Sequence, residues 1–268
     1  MKIKRKEWRF AAAEKAFCSF KNMELNKIYN EDCLEGMKRI PDKVIDMILC
    51  DLPYGTTRNK WDSIIPLEKL WEQYNRIIKA NGAIVLTAQT PFDKVLGISN
   101  LANLRYEWIL KKTTATGHLN AKKMPMKAHE NILVFYKKLP TYNPQKTIGH
   151  TPVNNYTKYQ DDGSNYGKTK VGISGGGSTE RYPRSVIRFS TDKQKLALHP
   201  TQKPVALFEY LIKTYTNKDE IVLDSCIGSG TTAVAAINTN RQFIGFEKEK
   251  EYFDIAIERI KKVSEEDE

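Results

Sequence analysis

The sequence predicts an α/β protein built on a doubly wound, mostly parallel sheet, and three observations predict it. Seven strand-like runs alternate with helix-like segments along most of the 268 residues, the rhythm of βαβ units. Most of these runs are continuously apolar rather than alternating, as strands covered on both faces require. A small-residue turn, DSCIGSGTTAVAA, stands between one such run and a helix-like segment, where an open α/β sheet forms its binding crevice.

Taken in order, residues 1–22 are basic and read as an extension before the first strand, KIYNED (27–32). The next strand, VIDMILCDL (44–52), stops abruptly on an acid. PLEKLWEQYNRIIKA (66–80) and FDKVLGISNLA (92–102) read as helices on either side of the strand GAIVLTA (82–88). RYEWILKK (105–112) and ENILVFYKK (130–138) are further strands. Residues 139–198 break the rhythm: they are rich in Tyr, Asn, Gly, Thr and Lys, include GISGGGST, and read as an insertion outside the sheet. The alternation resumes with helix 203–215, strand 220–226, helix 231–239, strand 242–247 and helix 250–262. In the last helix Tyr252, Ile255, Ala256 and Ile260 form a core-facing stripe. The expected division is 1–22 extension, 23–138 first half of the sheet domain, 139–198 insertion, and 199–268 second half.

No apolar stretch reaches the roughly 18 residues a membrane span needs. The apolar part of the N-terminus is broken by Glu14 and Lys15, which argues against a secretory signal. Four cysteines without CxxC spacing point to a reduced, cytoplasmic and metal-free protein, and His118, His129 and His150 show no metal-ligand spacing. Net charge is +11, and its distribution is uneven: residues 111–203 hold 17 Lys/Arg against 5 Asp/Glu. Positive charge confined to one segment is the footprint of a polyanion-binding face, with a merely solubilising surface as the alternative.

In the glycine turn, Gly228, Gly230 and Ala233 satisfy G-x-G-x-x-A, and Glu247 closes the next strand 19 residues after Gly228. Small residues let a ligand approach the backbone, and an acid at the following strand end can accept hydrogen bonds from ribose hydroxyls. Asp224, Cys226, Thr231 and Thr232 flank the turn and join it as candidates. A dinucleotide fold begins with such a turn, however, and only 21 residues follow Glu247 here. The other strands must come from earlier in the chain, as in a circular permutation.

CDLPYG then becomes readable. Asp51 ends a strand, so it belongs to the same binding edge; Pro53 fixes its own φ and holds Leu52 extended. A carboxylate, the Leu52 carbonyl and the Tyr54 ring match an aminated flat ring: two acceptors for an NH2 group and a surface for stacking.

Together, D-L-P-Y (51–54), HENILVF (129–135), H-P-T-Q-K-P (199–204) and D-S-C-I-G-S-G-T-T (224–232) resemble the beta group of DNA amino-methyltransferases, over about Leu25 to Lys262. The resemblance implies a Rossmann-like methyltransferase fold, with a seven-stranded, mostly parallel sheet in permuted order. It implies S-adenosyl-L-methionine as methyl donor and a flipped base in double-stranded DNA as acceptor. Asp51 and the Leu52 carbonyl would bind the target amine, with Tyr54 stacking on the base. Gly228 and Gly230 would pass the methionine part of the cofactor and Glu247 would hold its ribose. Asp32, with Cys33, matches the acid near the adenine ring, although an acid there reads equally as a helix cap. His199, Thr201 and Lys203 lie in the motif that closes over the methionine end. The insertion matches the target-recognition region.

The family usually has Pro where this chain has Leu52, which costs one ring of stiffening. A leading Asp favours adenine over cytosine. The alternatives are a cytosine-N(4) enzyme, a DNA-binding relative that has lost turnover, and a nucleotide-dependent oxidoreductase; RNA would offer the same amine chemistry. Lys122, Lys123, Lys127, Arg181 and Arg184 are candidate DNA contacts, each of them alone readable as a solvated charge. Dimerisation is common in the group, and a restriction endonuclease acting on the same site is the partner the resemblance would supply.

Overall fold

A computed structural model of the protein describes residues 23–55, 63–158, 171–190 and 203–266. These fall into two compact units, one formed by the chain before Pro144 and after Arg184, the other by Pro144–Arg184.

Among the described residues, the larger unit holds a sheet of eight strands. In chain order they are β1 (Lys27–Asn30), β2 (Ile45–Asp51), β3 (Ile78–Ala88), β4 (Leu104–Thr116), β5 (Lys127–Phe135), β8 (Val186–Arg188), β9 (Ile221–Asp224) and β10 (Gln242–Glu247). Their spatial order is β1-β10-β9-β2-β3-β5-β4-β8. The run from β1 to β3 is parallel throughout, and β5 lies antiparallel to both β3 and β4. The strands at the C-terminus of the chain thus enter the sheet between β1 and β2, which is the permutation inferred from the position of the glycine turn.

Two corrections concern this sheet. Among the described residues it has eight strands, not seven, and residues 186–188, expected outside it, form the additional edge strand parallel to β4. A three-residue strand with a single half-buried side chain carries no periodicity to read. The helix expected over 66–80 also ends at Ile77, and residues 78–80 already belong to β3.

Side chains alternate between the two faces with the period of two that extended backbone imposes. Ile48, Cys50, Ile84, Leu86, Leu133, Phe135, Leu223 and Phe246 face one apolar core, under α1 (Cys33–Met37), α2 (Leu67–Ile77) and α3 (Phe92–Ser99). Met47, Leu49, Val85, Ile132, Val134, Val222 and Phe243 face the other, under α4 (Val205–Tyr215), α5 (Thr231–Asn238) and α6 (Lys250–Glu266). Burial on both sides explains the unbroken apolar runs. No described helix is long and apolar enough to cross a membrane.

The smaller unit contains β6 (Tyr156–Thr157) and β7 (Ser174–Gly175), an antiparallel pair, and a bridge between Thr147 and Arg181. Its two short strands carry little apolar burial.

Candidate active site

Five parallel strands end along one edge of the sheet: Asn30, Glu247, Asp224, Asp51 and Ala88 are the last residues of β1, β10, β9, β2 and β3. The register Met47↔Val222 and Ile48↔Leu223 makes β9 and β2 direct neighbours. That pairing brings DLPY and the glycine turn, 173 positions apart from Asp51 to Asp224, to adjacent strand ends.

On the β9 side the turn is built from backbone and one acid. Gly228 and Gly230 adopt φ of 53° and 85°, a region in which side chains with a Cβ are strained. A Cβ on Gly230 would lie 3.1 Å from that of Ala256, so the glycine also lets α5 approach α6. A Cβ on Gly228 would meet nothing within 4 Å, which leaves the space above this turn open to a ligand. Glu247 accepts hydrogen bonds from the Gly228 and Glu249 N–H groups at 2.9 and 2.8 Å. Burial holds its carboxyl above the usual range, although those N–H groups oppose the shift. Asp224 accepts from the Cys226 N–H at 3.0 Å and from the Thr232 hydroxyl. Burial pushes its pKa up to about 6 despite these bonds.

The remaining candidates on this side are occupied by the protein itself. Thr231 accepts from Arg259 at 3.1 Å. Asp32 caps α1, accepting from the Leu34 N–H at 2.9 Å, so the cap reading of this acid is met. Cys33 and Cys50 are buried, and their contacts with Cys226, together with burial, push the Cys226 thiol well above its ordinary range. Such thiols are poor nucleophiles and poor ligands, and no cluster able to hold a metal occurs among the described residues.

On the β2 side, Asp51 is the centre of a polar group set into the apolar sheet. Its Oδ1 accepts from the Tyr54 hydroxyl at 2.5 Å and from the Thr87 hydroxyl. Its Oδ2 accepts from Lys203 Nζ at 2.6 Å. The side chain is still 26% exposed, so one side of the carboxylate can be reached. The Tyr54 ring rests on Phe92 with centroids 5.5 Å apart. Leu52 is only 3% exposed and packs into the core beneath α2 and α3. Its side chain is therefore anchored by burial where a proline would be stiffened by its ring.

Lys203 is brought here by the start of α4, so its ammonium meets the DLPY acid. Thr87, Glu130, Lys112 and Gln89 were not singled out from the sequence, yet all belong to the same group. Glu130 Oε1 binds Lys112 at 2.6 Å and Gln89 at 2.8 Å, and Glu130 Oε2 lies 3.3 Å from Lys203. The signal that could have found three of them is parity. Thr87 shares the face of Ala83 and Val85, Glu130 that of Ile132 and Val134, and Lys112 that of Trp108 and Leu110. Each is a polar residue on the inward register of an apolar strand.

His199 and Thr201 lie outside the described residues. Lys122 and Lys123 are exposed in the connection between β4 and β5, and Lys127 is exposed at the start of β5. Because β5 runs against β3, this connection projects from the same edge as Asp51. In the smaller unit Arg184 is exposed, whereas the Arg181 guanidinium donates to the carbonyls of Ser178, Glu180 and Thr151 and so ties that unit together.

A family model for N6/N4 methyltransferases, described as DNA methylase, matches residues 45–258. The chain is 32% identical over 264 residues to the type II methyltransferase M.BglII of Bacillus subtilis, covering 89% of this chain and 69% of that protein. It is 28% identical over 257 residues to the DNA adenine methyltransferase YhdJ of Escherichia coli (strain K12), covering 88% and 83%. The crystal structure of an M1.HpyAVI–SAM complex superposes with a TM-score of 0.57 at 25% identity, over 87% of this chain and 98% of that one.

Proposed function

Since this chain belongs to the N6/N4 DNA methylase family, we propose that it transfers a methyl group from S-adenosyl-L-methionine to the exocyclic amine of adenine in DNA. The observation that carries this reading is the pairing of β9 with β2, which sets a nucleoside-type glycine turn beside an acid with a stacking aromatic. The open space above Gly228 and the Glu247 carboxylate beside it fit a ribose-bearing cofactor. When bound, that cofactor supplies an electrophilic methyl group.

The protein's task is to make a poor nucleophile attack. The lone pair of an exocyclic amine is delocalised into its ring. Asp51 accepts a hydrogen bond from one amine hydrogen and the Leu52 carbonyl from the other, which favours the pyramidal geometry in which the lone pair is available. Tyr54 stacks on the base, and such a base must first leave its duplex. Glu247 would hold the ribose of the cofactor, and the backbone at Gly228 and Gly230 would border its methionine part. Leu52 supports turnover: its buried side chain keeps the carbonyl in place without the missing proline ring. Adenine is favoured by the leading Asp and by the likeness to an adenine methyltransferase.

Nucleoside mass spectrometry tests this directly. Unmethylated DNA incubated with S-adenosyl-L-methionine and the protein should yield N6-methyladenine, and Asp51→Ala should yield none while still binding the cofactor. Methylcytosine would leave the mechanism in place and correct the base. No methylated base, with cofactor and DNA both bound, would refute the proposal.

A further inference from the structure

Lys203 is 9% exposed, and its ammonium lies between two carboxylates, 2.6 Å from Asp51 Oδ2 and 3.3 Å from Glu130 Oε2. Burial alone would push this lysine down, but Asp51, Tyr54 and Glu130 outweigh it and hold Lys203 well above the ordinary lysine range. Glu130 is fixed in turn by Lys112 and Gln89. Burial raises the Glu130 carboxyl, and Lys203 and Lys112 more than reverse that, so it stays ionised. The result is a row of alternating charge, Lys112–Glu130–Lys203–Asp51, across one face of β4, β5 and β2 and the entry to α4.

Buried ion pairs contribute little net stability, because desolvation offsets the attraction. Orientation is a different matter. An ionised carboxylate offers about four acceptor sites. Tyr54 and Thr87 fill sites on Oδ1 and Lys203 fills one on Oδ2, which fixes the carboxylate plane and leaves one of the four sites on a side chain that is still 26% exposed.

Resting on the methyltransferase reading, we propose that Lys203, braced by Glu130, is the positioning residue that aims the Asp51 carboxylate at the target amine. Glu130 thereby acts on the reaction through Lys203 rather than by touching substrate.

The experiment compares wild type, Lys203→Met, Glu130→Gln and the double variant. It measures single-turnover methyl transfer at saturating DNA and S-adenosyl-L-methionine, the Kd of each, and thermal melting. Lys203→Met should lower the single-turnover rate by about 100-fold, the scale of a misplaced reacting group, with both Kd values within about twofold of wild type. Glu130→Gln should lower the rate less, and should cost nothing further in the Lys203→Met background. Should Lys203→Met melt before the assay temperature, Lys203→Gln, which keeps a donor without the charge, takes its place. Three results would overturn the proposal: an unchanged rate, a loss confined to cofactor affinity (which would make Lys203 a cofactor contact), or a double variant whose loss is the product of the two single losses. A wild-type protein that transfers no methyl group would instead remove the functional reading, and this inference with it.

Discussion

Asp224 and Asp51 are both strand-end carboxylates, one behind the glycine turn and one opening DLPY, and their surroundings separate them. Asp224 is 2% exposed and serves the fold: it organises the turn through the Cys226 N–H and the Thr232 hydroxyl. Its pKa is raised from 3.8 to about 6, so the folded protein binds this proton more tightly than the unfolded chain does. The stability it contributes is complete below the lower value and is lost as pH rises through the window to the higher one. Asp224→Asn should therefore gain on wild type across that window. In melting curves without cofactor, Tm of the variant minus Tm of wild type should increase by on the order of 5 °C between pH 4 and pH 7. A difference that stays flat would mean that Asp224 does not titrate there. Asp51, by contrast, is partly open and held by three donors, an arrangement suited to receiving a fourth.

Among the elements, the connection between β4 and β5 carries three of the proposed DNA contacts at its tip and end. It leaves the sheet at the edge where Asp51 lies, and it carries Lys122 and Lys123 in the open with Leu119 almost fully exposed at 95%. Lysines that neutralise phosphates release counterions, so they contribute to the salt dependence of binding as well as to affinity. Lys122→Glu with Lys123→Glu should weaken binding to duplex DNA and flatten the plot of log K against log salt by roughly two contacts' worth of slope. Unchanged affinity and slope would remove this connection from the DNA surface. Arg181 offers no such prediction, since its guanidinium is committed to carbonyls of its own unit.

At the scale of the whole molecule, the proposed site joins distant parts of the chain: β1 and β2 from the first 51 residues, α4, β9 and β10 from beyond residue 203. A ligand bound across these strand ends should stabilise the larger unit as one body. At 100 times its Kd, S-adenosyl-L-methionine should add about 2.7 kcal/mol to the stability of that unit. In hydrogen exchange, the added protection should centre on 221–234, 243–249 and the end of β2. Unchanged exchange over all three of these segments would contradict a cofactor site at the strand ends.

Much of this was legible because it is written in local chemistry. Apolar runs covered on both faces, glycines at positive φ and an acid braced by Pro53 each have one dominant physical cause, and each appears in the sequence as a contiguous pattern. The alternation of elements and the position of the glycine turn together determined the permuted α/β sheet. What only the tertiary structure decided depends on which strands lie side by side. Lys203 stands 152 positions from Asp51 and 73 from Glu130, and nothing within its own segment distinguishes a cofactor contact from a counter-ion. The same holds for β8, three residues long, which is a strand only through its pairing with β4. An ion pair is set by the distance between charges in space, and sheet register, with β9 inserted beside β2, is what fixes that distance.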